Sequence, residues 1–82
     1  MYYINFDKEA KNSFKKIDKS DQKKILNKIH QLNKNPYIGK RLAGNLFGLR
    51  RLRVDKYRVL YKIIEDKLII IIINISHRKN IY

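Results

Sequence analysis

Apolar and polar positions change their period along the chain. Residues 2–6, Tyr-Tyr-Ile-Asn-Phe, make a short aromatic-rich run that reads as a first strand. Asp7 then suits an N-cap, with Glu9 in the first turn behind it. Ala10, Phe14 and Ile17 recur at helical spacing and predict a helix over 8–17. Asp18-Lys19-Ser20 breaks the pattern, and Ser20 is the expected cap of a second helix. Ile25, Leu26, Ile29 and Leu32 form its apolar stripe, with Lys23, Lys24, Lys28 and Lys34 on the wet side. His30 sits beside that stripe and reads as a partly buried structural residue. Asn35-Pro36 ends the helix, because the residue before Pro is driven away from helical angles.

Residues 37–48 hold all three Gly and no sustained period, which predicts a loop with one turn near Arg41–Leu42. Beyond it the period becomes two. Leu49–Val54 and Tyr57–Ile64 alternate across Asp55-Lys56, and Glu65-Asp66 leads into the Ile-dense run Lys67–Ile75. Two short turns in succession predict an antiparallel meander, and the β-branched Ile run reads as a central strand of the sheet rather than a helix. The expected fold is α+β: an N-terminal strand, an antiparallel two-helix hairpin, then a three-stranded antiparallel meander. Together these give a four-stranded sheet with the helices on one face. Residues 1–82 form a single domain, since no repeat or composition shift divides them.

Composition narrows the function classes. The 82 residues carry 20 Lys plus Arg against 7 Asp plus Glu, a net charge of +13. There is no Cys, and the two His lie in no HExxH pattern, so the chain supplies few ligands for a catalytic metal and none for disulfides. No metal and no cofactor are expected. The longest apolar run, Leu68–Ile73, falls far short of the ~20 residues of a membrane span. No charged-then-apolar leader opens the chain, so a cytoplasmic protein is expected. Its natural partners are polyanions or acidic proteins. The charge is also segregated: all six Arg fall in residues 38–82, while residues 1–37 carry Lys only. Arg is the fork-shaped cation suited to phosphate.

Strand alternation places these cations. Leu52 and Val54 share one face, and Arg51 and Arg53 the other. Tyr57, Val59, Tyr61 and Ile63 oppose Arg58, Leu60, Lys62 and Ile64. In the last strand Ile69, Ile71, Ile73 and Ile75 are expected beneath the helices, with Ile70, Ile72, Asn74 and Ser76 on the open side. With Asp55-Lys56 as the turn, Arg53 stands opposite Arg58. Two like charges so placed repel, which points to a ligand as their counter-ion. The antiparallel last strand brings His77 and Arg78, then the tail to Tyr82, toward the same end.

These residues resemble a known family. Leu42-Ala43-Gly44, Leu49-Arg50-Arg51-Leu52-Arg53-Val54, Tyr57-Arg58-Val59-Leu60-Tyr61, Ile75-Ser76-His77-Arg78 and the closing Ile81-Tyr82 are together similar to the RelE/ParE toxin superfamily, and most similar to its RelE branch. The resemblance covers nearly the whole chain. It implies a toxin that cuts messenger RNA on the ribosome and is neutralised by an antitoxin from the neighbouring gene. It gives Arg51, Arg53, Arg58, Arg78 and Tyr82 catalytic roles, and His77 joins them as a nearby candidate acid or base. Arg50, Lys56 and Lys62 are expected RNA contacts. Members of the family carry Lys where this chain has Arg51 and Arg53. A guanidinium does not surrender its proton, so a Lys-as-base scheme does not transfer.

RNA cleavage without metal uses the 2′-hydroxyl of one nucleotide as nucleophile on the adjacent phosphate. It needs orientation, charge stabilisation and proton transfer. Arg58 and Arg78 suit a phosphate clamp, and Tyr82 suits stacking or proton donation. Leu60, Ile64, Ile70 and Ile72 are expected to form an uncovered apolar patch that an acidic, RelB-like antitoxin segment would cover. The toxin alone is expected as a monomer and the complex as a heterotetramer. Two other readings share the scaffold or the charge: a ParE-like inhibitor of DNA gyrase without catalysis, and a plain nucleic-acid-binding module.

Overall fold

A computed structural model describes residues 1–77. Arg78 and Tyr82, both expected at the site, lie outside the described residues. The elements run β1 (Tyr3–Phe6), α1 (Lys8–Lys15), α2 (Lys19–Gln31), β2 (Lys40–Arg41), β3 (Arg50–Val54), β4 (Tyr57–Ile64) and β5 (Ile69–His77). Short 3₁₀ turns occupy Gly44–Leu46 and Glu65–Lys67.

The capping residues set the helical hairpin. Asp7 accepts from the Lys8 backbone N–H at 2.7 Å, as its position before the apolar stripe predicts. Asp18, not Ser20, occupies the N-cap position of α2. Gln22 donates from Nε2 to the Phe14 carbonyl at 2.9 Å, satisfying an acceptor near the end of α1 and locking the tight connection. Asn33 donates from Nδ2 to the Tyr2 carbonyl at 2.8 Å, which pins the end of α2 to the start of β1. His30 is exposed and does not join the core.

The sheet has five strands in the order β1-β5-β4-β3-β2, one more than expected. It is mixed: β1 runs parallel to β5, and the other neighbours are antiparallel. The Ile-rich β5 is interior, between β1 and β4. The extra strand comes from the glycine-bearing loop, where Lys40 and Arg41 pair with Arg51 and Arg50. Tyr61 builds that edge. Its hydroxyl, fully buried, donates to the Pro36 carbonyl at 2.7 Å and accepts from the Gly39 N–H at 2.9 Å. A Cβ on Gly39 would lie 2.5 Å from that hydroxyl, so only Gly lets the loop approach.

Both helices pack on one side of the sheet. Ala10, Ile25, Ile29 and Leu32 meet Leu52, Val54, Val59, Tyr61, Ile70, Ile72 and Ile75 in one core. Ile70 and Ile72 are each at 0% exposure, which overturns their expected place on the open face. The cause is a β-bulge. Leu60 pairs with Asn74 and Tyr61 with Ile72, so Ile73 is the extra residue. Asn74 and Ser76 do share the face of Leu60 and Arg58, but alternation cannot be carried back from them through the bulge. Below it Ile69 and Ile71 take the open face. The β4–β5 connection is also longer than a two-residue turn: Ile64 pairs with Ile69, and Leu68 adopts a left-handed φ of 55°.

Candidate functional site

The helix-free face of the sheet divides into a cationic half and an apolar half. Register assigns the cations. Lys40 pairs with Arg51, Arg51 with Leu60, Arg53 with Arg58, and Arg58 with Ser76, so these side chains share one face across four strands. Arg53 and Arg58 face each other across the β3–β4 hairpin. The Arg58 Nε is buried and has no hydrogen-bond partner among the described residues. A buried guanidinium donor left unsatisfied costs on the order of 1–3 kcal/mol, and an incoming anion would recover it. Lys40 joins this face without having been expected there. A two-residue strand carries no readable period.

The apolar half comprises Leu60, Ile64, Ile69 and Ile71, all half-buried, with Tyr3 exposed on β1 beside Ile69. Lys62 stands in this half, opposite Ile71 and about 13 Å along β4 from Arg58.

Three expected site residues are elsewhere. Arg50 pairs with Tyr61, on the core-side face. Its Nη1 donates to the Gly39 carbonyl at 2.8 Å and the Tyr37 carbonyl at 3.3 Å, and its guanidinium lies 5.2 Å from the Tyr37 ring centroid. Arg50 therefore clamps the loop to the sheet. Lys56 pairs with Asp21 of α2 at 3.6 Å. Asp21, only 8% exposed, also accepts from the Tyr57 hydroxyl at 3.1 Å. Burial, and then that bond to Asp21, push the Tyr57 phenol up. A second ion pair, Lys24 to Asp55 at 3.7 Å, fastens the same turn to α2. His77 pairs with Tyr57 and so occupies the helix-side face, its ring 5.5 Å from Tyr57 in an edge-on arrangement. It is not grouped with Arg53 and Arg58.

Carboxylates are sparse. Glu65 accepts from the Tyr37 hydroxyl at 2.7 Å, and Glu9 accepts from Asn74 Nδ2 at 3.0 Å. Among the described residues no group of three or more His, Cys, Asp or Glu is placed to hold a metal ion. Nor, among them, is any helix long and apolar enough to cross a membrane.

A five-stranded mixed sheet backed by a helical hairpin is a fold that this chain shares with solved proteins of toxin–antitoxin pairs. A chain of the RelBE2 toxin–antitoxin complex from Mycobacterium tuberculosis matches 94% of this chain and 98% of its own length, with a TM-score of 0.88 and 25% identity. The family model described as the ParE toxin of the type II toxin–antitoxin system, parDE, matches residues 4–82, and the chain belongs to that family. Relatives from the RelE side of the superfamily are also similar. A putative RelE-like toxin protein of Escherichia coli is 26% identical over 83 residues, covering 95% of this chain and 84% of the relative. The mRNA interferase toxin RelE of Escherichia coli strain K12 is 24% identical over the same shares.

Proposed function

We propose that this toxin cuts messenger RNA on the ribosome and thereby inhibits translation. The 2′-hydroxyl 5′ of the scissile bond attacks the adjacent phosphate, giving a cyclic phosphate on one fragment and a 5′-hydroxyl on the other. The observation that carries this reading is the opposed Arg53–Arg58 pair, with the Arg58 Nε unsatisfied among the described residues, on the face turned away from α1 and α2. Arg58 clamps the phosphate and Arg53 and Arg51 stabilise charge on the phosphorane. Arg78 and Tyr82 complete the group by the sequence resemblance, as second clamp and as stacking or proton-donating phenol. The chain's own donor set suits this scheme, since two-metal hydrolysis needs several converging oxygen ligands. The cytoplasm, where ribosomes are, is the proposed location.

The proposed partner is an acidic, RelB-like antitoxin. Net charge of +13 favours it, and the apolar half formed by Leu60, Ile64, Ile69 and Ile71 gives it a surface to cover. Toxin alone is proposed as a monomer and the complex as a heterotetramer.

A second reading is a ParE-like inhibitor of DNA gyrase, favoured by the family model's own description. Sequencing RNA ends after induction separates the two. Cuts within messages that vanish in Arg58→Ala support the nuclease. Intact messages with gyrase-dependent DNA breaks support the inhibitor.

A further inference from the structure

On the opposite side of edge strand β2 lies an open cavity of about 200 Å³, lined by Tyr37, Arg41, Phe47, Arg50, Ile63 and Glu65 among others. It exceeds the ~150 Å³ that holds a benzene ring. Phe47, which lines the cavity, is 80% exposed and is not one of the side chains of the core cluster. The loop that presents it is set by Gly44 and Gly48, both at positive φ (67° and 94°). Tyr37 is held in place from three directions. Its hydroxyl donates to Glu65, its ring carries the Arg50 guanidinium, and its carbonyl accepts from Arg50. Hydrogen bonding with Tyr2 and then Glu65 pushes its phenol up, so it remains a neutral donor. Two aromatic rings, two guanidiniums and one carboxylate thus line a slot of base size.

The slot and the cationic face adjoin edge strand β2 from its two sides. Arg53 and Arg51 lie about 7 Å apart on that face, and Lys40 stands opposite Arg51. Arg41, the next residue, turns to the other side and lines the cavity. Because β2 is only two residues long, a strand of RNA passing Arg53, Arg51 and Lys40 meets the edge immediately.

We propose that this cavity is a base-binding subsite for single-stranded RNA: one unpaired base stacks on Phe47 and Tyr37, and its flanking phosphate lies on Arg41. The proposal rests on the reading of the open face as an RNA surface. The two rings favour RNA over an acidic protein segment, whose carboxylates would use the guanidiniums and leave Phe47 and Tyr37 without a stacking partner.

The test uses the full chain, without ribosomes, and a short single-stranded 2′-O-methyl oligonucleotide carrying one 2-aminopurine. Cleavage plays no part in the readout. Phe47→Ala should weaken binding about 5- to 150-fold and abolish the stacking quench of the fluorophore, with the salt slope unchanged. Phe47→Trp should retain both. Arg41→Ala should lower the salt slope by about 0.7. Unchanged affinity and quench in Phe47→Ala would overturn the subsite. So would protection of Phe47 by a purified acidic antitoxin but not by the oligonucleotide, which would make the cavity a protein-docking site. Loss of message cutting on ribosomes with the Phe47 effects intact would overturn the nuclease reading alone.

Discussion

Arg53 and Arg58 stand directly opposite each other across the β3–β4 ladder, on the face turned away from α1 and α2. A like-charge cross-strand pair costs about 0.2–1 kcal/mol. A neutral pair here would be more stable, and the proposed role of the two guanidiniums is to bind an anion between them. Arg53→Gln should therefore raise the unfolding free energy by a few tenths of a kcal/mol up to about 1 kcal/mol. It should also reduce the gain in melting temperature with added salt, because part of that gain comes from screening the pair. A lower melting temperature at every salt concentration would show that Arg53 is a structural residue.

The open face can be separated from the core by adjacent residues on one strand. Ile70 is fully buried and Ile71 half-buried on the opposite side. Ile70→Lys should unfold the domain, since it buries an unpaired charge. Ile71→Lys should fold normally and lose co-purification with the antitoxin. Equal loss of folded protein in both variants would contradict the assigned bulge.

Asp21 ties the β3–β4 turn to α2 through Tyr57 and Lys56. Asp21→Ala should cost about 1–3 kcal/mol by leaving the buried end of this network unsatisfied. The Tyr57 phenol is raised in the folded protein, so its contribution is fully present below the unfolded value near 10. Above it the unfolded chain releases its proton first, and stability falls as pH rises. Denaturant titrations from pH 8 to 11 should show this decline, and Tyr57→Phe should make it shallower.

Gly39→Ala places a methyl 2.5 Å from the Tyr61 hydroxyl and 2.9 Å from the Arg51 carbonyl. It should cost roughly 1–3 kcal/mol and loosen β2, visible as faster amide exchange at Lys40 and Arg41.

Much of this arrangement is legible in the chain because period-two alternation survives wherever pairing is regular. The Asp55-Lys56 turn gives the Arg53–Arg58 register directly, and Arg51 shares that face for the same reason. The Ile run hides its bulge: six consecutive apolar residues show no phase, so one inserted residue at Ile73 moves Ile70 and Ile72 into the core unseen. Arg50 and Lys56 misled because their charge suggests RNA, while their partners, Gly39 and Asp21, come from distant parts of the chain. His77 falls on the wrong face by the same alternation that aligns Arg58 with Ser76. Phe47 has no neighbours of like period, and only its exposure in the folded protein marks it.

The proposed cleavage uses the substrate's own 2′-hydroxyl at the Arg53–Arg58 end of the sheet. A ribosome-bound message carrying one 2′-deoxy nucleotide at the mapped cut site tests it most directly, beside the all-ribose message. The ribose message should be cut, leave a 5′-hydroxyl on the downstream fragment, and resist cutting by Arg58→Ala, whose rate should fall about two to three decades. The deoxy message should remain whole. Cutting of the deoxy message at the same position would contradict the account.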